Sequence, residues 1–172
     1  MIDTSLVTLY FPRAGDEADK ALAEFISGST DQLRIAIYSL NRPVIVEAIK
    51  NQHAGGVPIR LITDHLQSFG HEQLVALKEL QSAGIPIRTN HHSGLMHLKL
   101  VVRSDAFSTG SFNYTNNAET LNDEILAIIT NRDQAEKTAA FFDHTWNDQT
   151  RFMDWHIPTA TEMLFSRQIP EF

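Results

Sequence analysis

The chain contains no cysteine, which excludes disulfide bonds and thiolate metal ligands. It also lacks an apolar run near the roughly 18 residues that a transmembrane helix needs. The first residues show no basic stretch followed by a long apolar one, so no secretory signal is indicated. We therefore expect a cytoplasmic protein without stable membrane insertion. Its 172 residues suffice for one domain with a sizeable core.

Positive charge is scarce as well. The chain has 14 Lys and Arg against 21 Asp and Glu, which gives a formal net charge of −7. A protein that holds nucleic acid by its overall field is usually basic. Any phosphate must therefore be held locally by a few cations. If nucleic acid is the substrate, this charge favours single strands or short substrates in a narrow groove.

Strands and helices alternate over roughly the first ninety residues. Hydrophobic periodicity and the Gly and Pro positions predict strands at 6–11, 33–40, 57–63 and 85–89, and helices at 16–26, 43–52 and 72–81. This alternation is typical of βαβ units and of a largely parallel sheet.

The pattern changes in the second half of the chain. Two strands, 97–102 and 107–112, are joined by a short turn and predict a hairpin, which joins antiparallel neighbours. A loop at 113–121, a strand at 124–130 and a helix at 132–146 follow. We expect an α/β fold with a mixed, mostly parallel sheet flanked by helices on both faces. Residues 1–150 would form one catalytic domain, and 151–172 a tail that packs on it or on a partner chain.

Four polar residues occur in pairs on the two predicted hairpin strands. His97 and Lys99 are two residues apart, so both side chains leave the same face, and Ser111 and Asn113 are related in the same way. If the strands are adjacent, the four side chains converge. A stable core rarely tolerates such a cluster unless it is a site.

Each of these residue types has a use in cleaving a phosphodiester. A neutral imidazole, here His97, can attack phosphorus and form a covalent phosphoenzyme. Lys99 can neutralise the phosphoryl oxygens, while Ser111 and Asn113 can donate hydrogen bonds to oxygens that gain charge. A carboxylate that fixes the histidine tautomer is also useful, and Glu124, at the start of the next strand, is the candidate.

The segment MHLKLVVRSDAFSTGSFN, residues 96–113, resembles the HKD motif of the phospholipase D superfamily, written HxK–x4–D–x6–GSxN. The stretches IAIYSLNRPVIVEAIKNQHAGGVPIRLITD, GIPIRTN and NYTNNAETLNDEI also look like the small bacterial nuclease branch of that superfamily. The resemblance covers about residues 30 to 146 and implies a phospholipase D-like fold. It implies the following roles: His97 as nucleophile, Lys99 and Asn113 as phosphate ligands, Ser111 as their support and Glu124 as the group that orients the histidine.

The motif departs from the pattern by one residue. Ten residues separate Lys99 from Gly110, where the pattern has eleven, and the acid is Asp105 rather than position 104. The simplest account is a hairpin shortened by one residue at its turn. We therefore treat Asp105 and Gly110 as structural positions of the motif and not as catalytic ones.

The chain contains a single HxK motif. The other seven histidines, at positions 53, 65, 71, 91, 92, 144 and 156, have no lysine two residues on. Because one histidine attacks while another must protonate the leaving oxygen, the sequence predicts a homodimer with one shared site. No metal or other cofactor is required, since Lys99 from both chains supplies the positive charge.

Other polar residues at predicted strand ends allow either a functional or a structural interpretation. Tyr38 could stack a base or simply pack, and His65 follows Asp64 at a strand end where α/β proteins often bind ligands. Asp64 could equally cap a helix. His91 and His92 could line the mouth of the site, although solvated loop residues are the more common case, and a metal site with Asp64 is less favoured still.

The sequence thus predicts a metal-independent phosphodiesterase, foremost an endonuclease that cleaves nucleic acid through a covalent phosphohistidine. A phospholipid phosphodiesterase with the same chemistry is one alternative. An inactive binding or dimerisation module is another, although the full set of predicted catalytic residues argues against it.

Overall fold

The computed structural model describes residues 6–166, and this part of the chain forms one eight-stranded sheet with six α-helices. The strands are β1 (Leu6–Tyr10), β2 (Leu33–Ile37), β3 (Ile59–Thr63), β4 (Ile87–Asn90), β5 (Lys99–Val102), β6 (Ala106–Gly110), β7 (Leu126–Thr130) and β8 (Phe152–Asp154). The helices are α1 (Ala18–Ser27), α2 (Pro43–Ala54), α3 (His71–Ser82), α4 (Asn116–Thr120), α5 (Arg132–Asn147) and α6 (Ala160–Ser166).

The strand order is β1-β7-β6-β5-β2-β3-β4-β8. Only the β2–β3 and β3–β4 pairs are parallel in this sheet, and its other neighbours are antiparallel. The predicted mixed α/β fold is confirmed, but the expectation of a mostly parallel sheet is wrong. The helical crossovers do make β2, β3 and β4 parallel, as expected. However, β5 pairs antiparallel with β2, and the chain then continues through antiparallel neighbours to β7.

Helices cover both faces of the sheet, as predicted. On β2, Ile35 and Ile37 face the larger core, which α1, α2 and α3 complete. Ala36 faces a smaller core on the opposite side, where it packs with Phe142 of α5. Every residue of β2 is buried, because a central strand between two helical layers contacts apolar groups on both faces.

A short helix interrupts the segment 113–121, which the sequence predicts as a loop. Helix α4 begins after Thr115, whose hydroxyl accepts a hydrogen bond from the backbone N–H of Ala118 at 3.2 Å. This is an ordinary N-cap, and it stabilises a single helical turn that has too few apolar residues to show a period.

Part of the predicted tail belongs to the sheet. Strand β8 pairs with β4, the Trp155 side chain beside it is buried, and Arg88 donates a hydrogen bond to the carbonyl oxygen of Phe152 at 2.8 Å. The proposed boundary at residue 150 stays a prediction, and residues 167–172 lie outside the described residues. Within residues 6–166, no helix is both long and apolar enough to cross a membrane.

The hairpin between β5 and β6 contains Asp105 and Gly110, the two residues expected to be structural positions. Its turn is closed by a hydrogen bond from the Arg103 N–H to the carbonyl oxygen of Ala106 at 2.9 Å. The Arg103 guanidinium binds both carboxylate oxygens of Asp105 and lies over the Phe25 ring of α1. Asp105 therefore holds the Arg103 side chain, and Arg103 contacts α1. At the other end, Gly110 has a φ of +142°, and a Cβ there would overlap the carbonyl oxygen of Ile125.

Candidate active site

The predicted site residues gather at one edge of the sheet, by which we mean the side formed by strand ends and not an outermost strand. Strand β5 runs antiparallel to β2, β6 returns, and β7 runs antiparallel to β6. The carboxyl ends of β2, β3 and β6 therefore lie beside the amino ends of β5 and β7. This edge carries Tyr38, Asp64, His97, Lys99, Ser111, Asn113 and Glu124.

His97 lies just before β5 rather than within it, and its side chain is exposed. The imidazole packs against the Tyr38 ring, with a centroid separation of 4.6 Å and an interplanar angle of 57°. Partial desolvation lowers the pKa of His97, the nearby Lys99 ammonium lowers it further, and Asp64 opposes both effects. The imidazole is therefore mostly neutral at neutral pH, which is the form that can act as a nucleophile.

Lys99 is the first residue of β5 and is only 6% exposed. Its ammonium group donates a hydrogen bond to the carbonyl oxygen of His97 at 2.9 Å and lies 4.9 Å from the Tyr38 ring centroid. No carboxylate within residues 6–166 forms an ion pair with it, and burial lowers its pKa to about 8 although Glu124 raises it. A buried cation of this kind is costly until an anion binds beside it.

The Tyr38 ring contacts both His97 and Lys99. Its hydroxyl accepts a hydrogen bond from Gln67 at 2.9 Å, and burial, together with Asp64, raises its pKa, so the phenol stays protonated. The buried Gln73 side chain connects the end of β3 to the segment that follows β2. It donates a hydrogen bond to the Thr63 hydroxyl and accepts one from the Leu40 N–H. The Tyr38 ring therefore packs against His97 and Lys99, and its stacking on a base stays a prediction.

Ser111 and Glu124 contact each other across the ends of β6 and β7. The Ser111 hydroxyl donates to Glu124 Oε2 and accepts from the backbone N–H of Ile125 at 3.1 Å. Asn122 donates to the second oxygen, Glu124 Oε1, at 3.2 Å. Between residues 6 and 166, no hydrogen bond joins Glu124 to His97, so the orienting role of Glu124 stays a prediction.

The segment after β6 is tied to the segment after β2. The Tyr114 carbonyl oxygen accepts from the N–H groups of Asn41 and Arg42 at 2.9 Å, and the Tyr114 N–H donates to Ser39 O at 3.0 Å. This connection places Asn113 at the same edge as Tyr38. Asn113 Oδ1 is buried and has no hydrogen-bond partner in the described part of the chain. A buried polar atom of this kind is one that a bound ligand or water satisfies.

Asp64 has a role that sequence reasoning did not identify. It is 1% exposed, and its two oxygens accept hydrogen bonds from the N–H groups of Met96, at 2.9 Å, and Gln67, at 3.1 Å. It therefore caps the turn after β3 and also fixes the backbone one residue before His97. An acid at a strand end was visible in the sequence, but its second, long-range contact was not.

Three of the remaining histidines lie beside this edge. His65 stacks edge-on with Phe69 at 5.1 Å and, with His91 and His92, lines a pocket beside the site. Among the described residues, no three His, Asp or Glu side chains are grouped so that they could hold a metal ion.

Comparison with known proteins identifies the family of this chain. Residues 22–146, most of the chain, match the family model described as "Cardiolipin synthase, PLD-like domain". The chain belongs to the phospholipase D-like family of phosphodiesterases. This confirms the predicted family, and the matched range includes residues 96–113, the segment that resembles the HKD motif.

Several named proteins are similar to this phospholipase D-like chain. A phospholipase D from Rickettsia conorii is 30% identical over 130 residues, which cover 75% of the chain and 63% of the relative. A mitochondrial cardiolipin hydrolase from Chlamydomonas reinhardtii is 26% identical over 125 residues, covering 72% and 55%. The chain thus spans between about half and two thirds of the length of these relatives.

Solved structures support the same phospholipase D-like fold. Nuc from Salmonella typhimurium, a phospholipase D family member, superimposes with a TM-score of 0.81 at 26% identity, covering 88% of this chain and 99% of Nuc. NucT from Helicobacter pylori gives a TM-score of 0.73 at 20% identity, covering 81% and 94%. The fold therefore extends over almost the whole of both of these short chains.

Proposed function

We propose that this phospholipase D-like chain is a metal-independent endonuclease that cleaves nucleic acid through a phosphohistidine at His97. One observation carries the proposal: the exposed imidazole of His97 adjoins the buried Lys99 ammonium, which has no carboxylate partner among the described residues. The first group is a nucleophile and the second is a site for phosphate oxygens. Asn113 lies at the same edge: its amide N–H groups could donate to phosphate, and its unsatisfied amide oxygen could accept from a water or a substrate hydroxyl.

The proposed reaction has two displacements at phosphorus. A nitrogen of His97 attacks, a P–N bond forms, and the P–O bond to the leaving nucleoside breaks. The leaving oxygen keeps the bonding electrons and takes a proton from a second imidazole. Water then attacks the phosphohistidine, gives its proton to that second imidazole and releases His97. Lys99 stabilises the charge on the phosphoryl oxygens in both steps.

A second copy of the chain supplies that second imidazole. An exposed apolar surface beside the site supports this part of the proposal. Phe11, which is 43% exposed, lines a pocket of about 560 Å³ together with Ser111, Glu124 and Ile125. Leu121, which is 62% exposed, accepts a hydrogen bond from Arg13 next to this pocket. A partner on this surface would bury apolar area and place its own site edge nearby.

Nucleic acid is favoured over lipid because the matched solved structures are short chains. The stretches around residues 96–113 also resemble the small bacterial nuclease branch. The similarity to Nuc extends over 99% of that chain, which supports the small bacterial branch. Lipid cleavage is the second candidate, because relatives are named phospholipase D and cardiolipin hydrolase. Leu95 and Leu98, which are 45% and 38% exposed, flank His97 and could contact a lipid surface.

The test is incubation in EDTA with labelled single-stranded DNA, duplex DNA, RNA and phospholipid vesicles, beside a His97→Ala control. We expect the wild type alone to cleave nucleic acid, with single strands preferred. Hydrolysis of the vesicles alone would replace the nuclease with the lipid enzyme, and loss of all activity in EDTA would contradict the metal-independent mechanism.

Trapping tests the covalent step. Internally ³²P-labelled substrate, mixed with enzyme and denatured in alkaline detergent, should leave label on the wild type and none on His97→Ala. Because two chains share one site, the label should approach one phosphate for every two chains. One phosphate on each chain would instead indicate a complete site in every monomer.

A further inference from the structure

A pocket of about 540 Å³ opens beside the reaction centre and has no part in the mechanism above. It lies between the segment that follows β3 and the segment that joins β4 to β5, and it is lined by residues 64–66 and 90–95. Leu95, at one end of this lining, is two residues before His97. Their Cα atoms are therefore at most about 7 Å apart. A group bound in the pocket would adjoin the phosphate that His97 attacks.

The walls of the pocket are fixed by two buried polar side chains. Asp64 accepts a hydrogen bond from Met96 N–H at 2.9 Å. Asn90, which is 4% exposed, accepts from His65 N–H at 2.8 Å and donates to the Gly94 carbonyl oxygen at 3.0 Å. Each side chain therefore connects one segment to the other. The pocket exists before a ligand arrives, so binding costs little reorganisation.

The chemistry of the lining argues against a phosphate. No Lys or Arg is present among its nine residues, and the single carboxylate, Asp64, is occupied by backbone N–H groups. An acyl chain fits poorly too, because Leu66 and Leu95 are the only aliphatic side chains in the lining. The rest is imidazole, amide, hydroxyl and backbone. Apolar patches beside uncharged polar groups suit a flat ring with a polar edge.

Two adjacent imidazoles differ in how firmly they are held. The His92 ring packs edge-on against Phe152 at 5.5 Å, with its Nδ1 2.8 Å from the Ser93 carbonyl oxygen. The His91 side chain is exposed, and its ring has no hydrogen bond within residues 6–166, while its backbone N–H donates to Arg151 O at 2.8 Å. His91 is thus anchored by its backbone and presents a ring that can stack or donate.

We propose that this pocket binds the nucleobase of a nucleotide next to the scissile phosphate. The inference rests on the nuclease activity proposed above and deepens it. A base that is paired and stacked in a duplex cannot enter such a pocket, whereas a base of a single strand can. Base contacts would also supply affinity that a chain of net charge −7 cannot obtain from the phosphate backbone alone.

The experiment uses single-stranded oligonucleotides with one cleavable phosphodiester, the other linkages being methylphosphonates. Three versions are compared: one with all bases, and one each with an abasic residue on the 5′ or the 3′ side of that linkage. The pocket variants are Leu95→Ala and His91→Ala, both at exposed positions that folding tolerates. The matched control is Val75→Ala on α3, which is 48% exposed against 45% for Leu95.

For the wild type, we expect the abasic residue on one side only to lower kcat/KM by about tenfold, the scale of one base–side-chain stacking contact. Each pocket variant should lose a comparable factor on the intact substrate and nothing on that abasic substrate. Val75→Ala should match the wild type throughout. Equal losses on intact and abasic substrates, or a wild type indifferent to both abasic residues, would overturn the pocket assignment alone. A wild type that cuts none of the oligonucleotides would overturn the nuclease proposal with it.

Discussion

His97 and Lys99 set opposite limits on the pH at which the site can work. Lys99 must be protonated to neutralise phosphate, and burial lowers its pKa to about 8. His97 must be neutral to attack, and desolvation and Lys99 lower its pKa below the usual 6.5, with Asp64 opposing. The second imidazole must in turn carry the proton that it donates. We therefore expect kcat/KM to follow a bell-shaped pH profile. It should fall as pH rises through about 8 and again in acid, below pH 6.5.

The variant Lys99→Arg tests the alkaline limit. A guanidinium stays charged far above pH 8, so whatever activity remains should lose the part of the decline near that pH that Lys99 causes. The acid limb and the decline from deprotonation of the second imidazole should stay. The measurement is kcat/KM on a short single-stranded substrate from pH 5 to 10, with His53→Ala as a control at a histidine distant in sequence from the motif. An alkaline limb that persists unchanged in Lys99→Arg would mean that another group causes it.

Lys99 should also lower the stability of the fold. Because its folded pKa lies below the unfolded value of 10.5, the charged form is disfavoured by folding, and this penalty is complete below about pH 8. Lys99→Met should therefore abolish cleavage yet raise the free energy of unfolding at pH 7 by about 1–3 kcal/mol. The gain should shrink as pH rises from 8 towards 10.5. Urea unfolding of both proteins at pH 7 and pH 10 measures it, and a variant less stable at pH 7 would refute the argument.

At the scale of elements, Gly110 is the last residue of β6 and lies against Ile125, which directly precedes β7. Its φ of +142° and the carbonyl of Ile125 leave no room for a Cβ, and Ser111 follows it directly. We expect Gly110→Ala to lower the free energy of unfolding by at least about 2 kcal/mol and to reduce activity by shifting Ser111 from Glu124. Gly55→Ala is the matched control, because Gly55 has a φ of −74° at the end of α2. Equal unfolding midpoints in urea for the two variants would contradict this account.

The elements also show where sequence reasoning succeeds and fails. Local patterns correctly indicate the parallel strands β2, β3 and β4, since each helix between them must cross over the sheet. They do not indicate that β5 pairs with β2 or that β8 pairs with β4 as the outermost strand. Such pairing depends on contacts between distant parts of the chain. The same limit applies to the site. The spacing of His97 and Lys99 is local and was readable, whereas the contact of Asp64 with Met96 spans 32 residues.

For the whole molecule, the central question is whether one copy can turn over substrate. The edge that carries His97 contains no second HxK histidine, and the apolar surface around Phe11 and Leu121 lies beside Ser111 and Glu124. If a partner covers this surface, association and activity must be coupled by mass action. Neither property alone would demonstrate a shared site.

We therefore expect specific activity to fall on dilution, in parallel with the dimer fraction measured by sedimentation. Leu121→Glu, which places a charge on the apolar surface, should move both curves to higher protein concentration together, because a buried unpaired carboxylate opposes association. Leu164→Glu, at a residue that is similarly exposed on α6, is the matched control and should move neither curve. Activity that stays constant while the dimer dissociates would show that one chain holds a complete site, and the proton donor would then have to be sought within it.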